Sequence, residues 1–142
     1  MHVIFNIGIQ SSGNLLKNFP SNCRSNIDNL NIDHKTLDAF GFNSKETRTV
    51  TYICERAQSV KVKLTLDYVA DSDPKKCVPL KSGDNTIYSD VSLVDEQTNQ
   101  RGKTFETTID KVKNIRIESQ LSGSGAEPGD DKGNAWLIAT FI

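Results

Sequence analysis

A chain of 142 residues fits a single domain and can bury a real hydrophobic core. Hydrophobic content of 36%, charged content of 25% and a net charge of -1 fit an ordinary soluble domain and exclude the basic excess of a nucleic-acid surface. No apolar run has the length of a bilayer-crossing helix, and the opening MHVIFNIGIQ lacks the positive flank and small-residue cleavage site of a secretory leader.

In chain order, the first predicted element is a strand over His2 to Gln10, with Val3, Phe5, Ile7 and Ile9 on one face and mixed residues on the other. It can be an arm extending from the domain or an ordinary first strand of its own sandwich. Ser11 to Asn22 is polar and rich in turn residues, with Leu15, Leu16 and Phe19 able to begin a strand leading to Cys23. Ile27, Leu30 and Ile32 mark a short strand, and Leu37 to Phe42 a loop or a single helical turn. The spine is Arg48 to Ala70. Val50, Tyr52 and Cys54 share one side of an extended segment; after a polar break, Val60, Val62, Leu64, Leu66 and Tyr68 repeat the pattern opposite Lys61, Lys63, Thr65 and Asp67. Strict period two, rich in β-branched residues, means one buried and one wet face.

Asp71 to Lys76 is a charged loop, and Cys77 to Leu80 a short extended piece that Pro79 places at an edge. After a turn at Lys81 to Asn85, a strand over Tyr88 to Val94 turns Val91 and Leu93 to one face. Asp95 to Lys103 reads as a polar hairpin loop, followed by strands carrying Phe105, Thr107 and Ile109, then Ile115, Ile117 and Leu121. Ser122 to Asn134 (SGSGAEPGDDKGN) is the clearest loop in the chain. The last strand, Ala135 to Ile142 (AWLIATFI), is apolar on both faces and needs cover on each, as well as something along its free edge. Strand signals at intervals of roughly ten residues, with no helical periodicity, make this an all-β sandwich.

Little here suggests chemistry. The chain has no GxSxG elbow, HExxH, P-loop or GxGxxG after a strand, so neither enzyme activity nor a cofactor is expected. His34, beside Asp33 and Asp38, has no nucleophile near it in sequence and reads as a surface turn residue. Glu127, Asp130 and Asp131 lack the alternating spacing of a calcium loop and read as solvated. With no CxxC pair there is no zinc signature. Cys23 and Cys54 both flank strand-like segments; a bond between them would close a loop of about thirty residues and contribute roughly 3–4 kcal/mol in the chain-entropy model. It would also indicate an oxidising compartment. Cys77 is left over, as a partly buried thiol or an intermolecular bridge.

Together these features resemble the chaperone–usher pilins, the incomplete immunoglobulin-like subunits of Gram-negative fimbriae of the type 1 and P pilus kind. A Cys follows an alternating apolar arm; its partner ends a strand reading RTVTYIC; VKVKLTL comes next; a Gly-rich loop precedes a last apolar strand. At the C-terminus, Gly129 stands fourteenth from the end and Phe141 next to last, where the family carries a glycine and an aromatic residue. The family's donor strands often hold a small residue among their inward positions, whereas here Gly8 lies in the opposite phase.

The resemblance implies a sandwich lacking its last strand, with residues 1–18 a donor-strand extension and 19–142 the pilin domain. Val3, Phe5, Ile7 and Ile9 would fill the neighbour's groove. Gly129, Ala135, Leu137, Ala139, Phe141 and Ile142 would form the groove edge that a periplasmic chaperone first occupies, with Ile142 the native terminus. The implied partners are neighbouring pilus subunits, that chaperone, the outer-membrane usher and, through the assembled fimbria, a host-cell receptor. The implied location is an extracellular fimbrium reached through the periplasm. Three readings stay open: a structural pilus subunit; the C-terminal pilin domain of a fimbrial adhesin, or a self-adhesive subunit; and a complete extracellular sandwich, enzyme or inhibitor, whose first strand folds back into its own domain.

Overall fold

The computed structural model describes residues 1–13, 23–55, 59–68, 78–82, 85–124, 126 and 129–141. Among them the regular structure is entirely β, as the alternation predicts. The strands are β1 (His2–Gly13), β2 (Cys23–Ser25), β3 (Asn29–Thr36), β4 (Phe42–Cys54), β5 (Val60–Asp67), β6 (Val78–Ser82), β7 (Asn85–Asp95), β8 (Gln100–Gly102), β9 (Thr104–Ile109), β10 (Val112–Gly123) and β11 (Asp130–Phe141).

Hydrogen bonding runs in the order β2-β4-β10-β7-β6-β11-β1-β3, with β5 joining β11 to β9 and β8 lying on β7. The sheet curls so that β4, β10 and β7 face β5, β11, β1 and β3 as two layers of a sandwich. β6 carries the pairing from one layer to the other. It lies along β7 from Val78↔Ser89 to Ser82↔Asn85 and meets β11 only at Lys81↔Lys132. The inward positions of both layers form one core. Val50, Tyr52, Val91, Leu93, Ile115 and Ile117 on one side meet Val3, Phe5, Ile7, Ile32, Leu64 and Leu137 on the other, all closed to solvent. Period two places them all there, because successive side chains of a strand point to opposite faces.

Five expectations are corrected. The segment 122–134 is not one loop: β10 continues to Gly123 and β11 starts at Asp130. β1 supplies the reason, since it pairs with β11 from His2↔Asp130 onward and satisfies a backbone whose own residues carry no strand signal. Asp131 is consequently buried rather than solvated. β11 alternates instead of being covered on both faces, with Trp136 left 46% exposed. Asp95 is not in a polar loop but fully buried, where its carboxylate accepts from Lys113 Nζ at 3.0 Å and Thr107 Oγ1 at 2.5 Å. His34, finally, is a core residue, 3% exposed. Between Val3 and Ile4 the pairing with β3 skips one residue, Val3↔Lys35 giving way to Ile4↔Asp33, so His34 is the extra residue of a bulge. Lys35 takes φ 63° beside it. The imidazole faces inward in phase with Leu30 and Ile32, because period two carries the inward face of β3 on to position 34.

Candidate assembly groove

β3 and β11 stand as two walls, and β1 lies between them. It runs parallel to β11 over its full length, from His2↔Asp130 to Gly13↔Phe141, and antiparallel to β3 from His2↔Thr36 to Gly8↔Asn29. Further main-chain bonds fasten the start of β1 and the end of its run along β3: His2 N–H donates to Gly129 O at 2.9 Å and Ile9 N–H to Asp28 O at 2.8 Å. Val3, Phe5 and Ile7 have no exposed surface and Ile9 only 7%. At about 1.5–3 kcal/mol each, their burial contributes roughly 6–12 kcal/mol before ordering costs.

Glycines shape the slot. A Cβ at Gly133 would stand 2.8 Å from both Phe5 Cε2 and Leu80 Cγ, so the missing side chain is the space the Phe5 ring occupies. On the outer face, a Cβ at Gly8 would stand 2.2 Å from Trp136 Cζ3, and the indole lies across that position instead. Gly129 is required by conformation rather than space: its φ is +131° and a Cβ there would meet nothing within 4 Å.

The wall formed by β3 is locked to the opposite layer by polar side chains. His34 Nδ1 lies 2.8 Å from Ser44 Oγ on β4, and Nε2 lies 2.9 Å from Ser119 Oγ on β10, which in turn meets Ser89 Oγ on β7 at 2.5 Å. Burial pushes the imidazole pKa below its ordinary 6.5; Glu46 and Asp33 oppose the shift and Arg48 adds to it. At the mouth of the slot, Asp33 accepts from the Lys35 backbone N–H at 2.7 Å and lies 2.9 Å from His2 Nε2. The backbone bond first, and His2 second, hold this carboxyl below the usual carboxylate range.

Of the residues singled out in the sequence, the structure brings Val3, Phe5, Ile7 and Ile9 against Ala135, Leu137, Ala139 and Phe141, all facing the core. They meet within one chain: the arm lies in its own sheet. Cys23 and Cys54 are register partners of β2 and β4 and are joined by a disulfide, as expected. Ile142, Cys77, Glu127 and the segment 14–22 lie outside the described residues. Sequence reasoning missed Gly133, Trp136, the Ser44, Ser89 and Ser119 hydroxyls, and Asn6, Asn29 and Asn31. Only the last three left a trace, as polar residues alternating with inward apolar ones.

Fold and slot together define an all-β, sandwich-like domain with an N-terminal strand inserted beside its last one. A family model described as the fimbrial adhesin MrpH C-terminal domain matches residues 23–142. The chain therefore belongs to that family and is a fimbrial protein related to adhesins. Comparison with the curated proteins finds no match. Among solved structures, the chain is similar to the CupB6 tip adhesin from Pseudomonas aeruginosa at 12% identity and a TM-score of 0.36. That similarity covers 93% of this chain and 39% of the adhesin's, so the chain spans about two fifths of that protein's length.

Proposed function

We propose that the chain is the assembly domain of a fimbrial adhesin, an incomplete immunoglobulin-like unit whose slot between β3 and β11 accepts a β-strand from outside the unit. One observation carries this reading. The family match begins at Cys23, so both walls of the slot belong to the matched domain and the strand filling it does not. On this reading residues 1–18 are a donor segment that has taken the place of a neighbour's strand, and residues 19–142 are the acceptor. Strand addition of this kind draws affinity from main-chain bonds and specificity from alternate side chains in pockets, here Phe5 over Gly133. In the cell the slot is filled first by a periplasmic chaperone and then, at the outer-membrane usher, by the next subunit's arm. The domain thereby fixes the adhesin to a fimbrium outside the cell, where a host receptor is met. It has no enzymatic role.

A second reading is favoured by the arm itself. A segment with four inward apolar residues can leave its own slot for that of another copy, making the chain a head-to-tail polymer subunit. Both readings share the acceptor slot, which a chain of residues 19–142 tests. Titrated with a peptide spanning residues 1–13, it is expected to bind one equivalent and gain several kcal/mol of stability. A truncated chain as stable without the peptide as with it sinks both readings. Mass measurement of the intact chain against concentration separates them: a constant monomer supports the anchoring domain, and growth into filaments supports the polymer.

A further inference from the structure

The outer face of the β5-β11-β1-β3 layer carries a second arrangement, on the opposite side of the sheet from the core. Trp136 on β11 is register partner to Gly8 on β1 and to Asp67 on β5, and Gly8 is in turn partner to Asn29 on β3. One row along, Asn134, Asn6 and Asn31 are partners across β11, β1 and β3. Because Gly8 offers no side chain, the six-membered ring of the indole lies across its backbone, leaving the residue 46% exposed.

The amides beside it are fixed in orientation. Asn6 Nδ2 donates to Asn29 Oδ1 at 2.9 Å and to Asn31 Oδ1 at 2.8 Å, using both of its hydrogens. The Nδ2 groups of Asn29 and Asn31 and the Oδ1 of Asn6 are then the atoms this network turns outward. Asn29, Asn31, Asn134 and Asp67 are all exposed. An open indole face held flat, with amide donors and acceptors and one carboxylate around it, has the chemistry a sugar ring needs. The axial C–H groups of a pyranose meet the negative face of the ring, and its hydroxyls reach the amides and the carboxylate.

We propose that this face is a carbohydrate-binding platform, with Trp136 stacking a pyranose ring and Asn6, Asn29, Asn31 and Asp67 reading its hydroxyls. The platform rests on β1 lying in the slot, since β1 contributes Gly8 and Asn6, but not on any exchange of that strand. The face is shallow, so a single sugar binds with a dissociation constant on the order of millimolar, and longer glycans bind more tightly.

Trp136 is the sole tryptophan of the chain, so its fluorescence reports this face directly. The intact protein is titrated to about 100 mM with methyl glycosides of glucose, galactose, mannose, fucose and N-acetylglucosamine, a range set by the expected millimolar affinity. At least one is expected to give a saturable change in emission and to shield the indole from acrylamide. Asn31→Ala, at an exposed position that leaves the core intact, is expected to weaken that binding roughly tenfold, the loss of about one good hydrogen bond. Trp136→Ala is expected to abolish it by calorimetry. No saturable response to any of the five sugars overturns the proposal, as does a response that survives both substitutions. Emission that changes with protein concentration alone, and not with sugar, also overturns it and assigns the face to contact between copies. None of these results bears on whether residues 19–142 need a strand, so the two readings fail separately.

Discussion

β1 and β2 are both N-terminal strands added to a larger sheet, and they are held in opposite ways. β2 pairs with β4 over three residues, Cys23↔Cys54 to Ser25↔Tyr52, and a disulfide makes that pairing permanent. β1 pairs with two strands at once, twelve residues along β11 and a shorter run along β3, with four side chains in the core and no covalent tie among the described residues. The first arrangement closes the domain against loss of an edge. The second yields comparable or larger stabilisation that is available to any strand with the right inward residues. Attachment strength and permanence are separate quantities here, and only β1 has the former without the latter.

The sharpest way to break this contrast is to empty the pocket over Gly133. Phe5→Ala is expected to cost about 3–5 kcal/mol in urea denaturation, in the range for a fully buried aromatic side chain. A loss under about 1 kcal/mol would mean that β1 is a passenger in the slot. Reduction of the Cys23–Cys54 bond is the matching test at the other strand. Its 31-residue separation predicts a loss of roughly 3–4 kcal/mol, and the effect should not depend on whether residue 5 is Phe or Ala. Strong coupling between the two changes would show that β1 and β2 are not independent attachments. A smaller effect, about 1–3 kcal/mol, is expected for Gly133→Ala, whose Cβ would collide with Phe5 and Leu80. Adding Phe5→Leu should recover part of that loss; an equal or greater loss in the double variant would place the clash elsewhere.

The smallest predicted effect concerns the lock on β3. His34 has its pKa depressed by burial, so the unfolded chain binds the proton more readily than the folded one. Its contribution is fully present above the ordinary value of 6.5 and is lost as pH falls through that value toward the depressed one. The slope is at most about 1.4 kcal/mol per pH unit for this single group. Stability measured between pH 7.5 and 5.5 should therefore decline in the native protein and stay flatter in His34→Gln. Parallel profiles for the two proteins would remove His34 from the account.

How far the sequence disclosed all this depended on whether a feature repeats along the chain or across it. Strands with strict alternation, such as Val60 to Asp67, are visible because neighbouring residues carry the pattern. The disulfide was visible because its two cysteines flank strand-like segments. The start of β11 was not, because Asp130 to Asn134 become a strand through pairing with β1, more than a hundred positions away. His34 looked like a surface residue because its polar type and its neighbours Asp33 and Asp38 masked its phase, which is that of the inward Leu30 and Ile32. Trp136 looked like core because AWLIATFI gives no sign of the glycine beneath it or of the amides alongside. The arm's apolar face was legible from the outset; which groove it enters was not, since a slot and its filler read alike whether they share a molecule or not.

Native-state hydrogen exchange on the intact chain tests the separability of β1 most directly. Amides of β1, together with those of β3 and of β11 from Asp130 to Asn134, are expected to open at a free energy clearly below that of β4 and β10, which stay protected while the slot empties. If β1 amides exchange only together with β4 and β10, at the free energy of global unfolding, then β1 is an inseparable part of the fold and the acceptor slot has no independent existence.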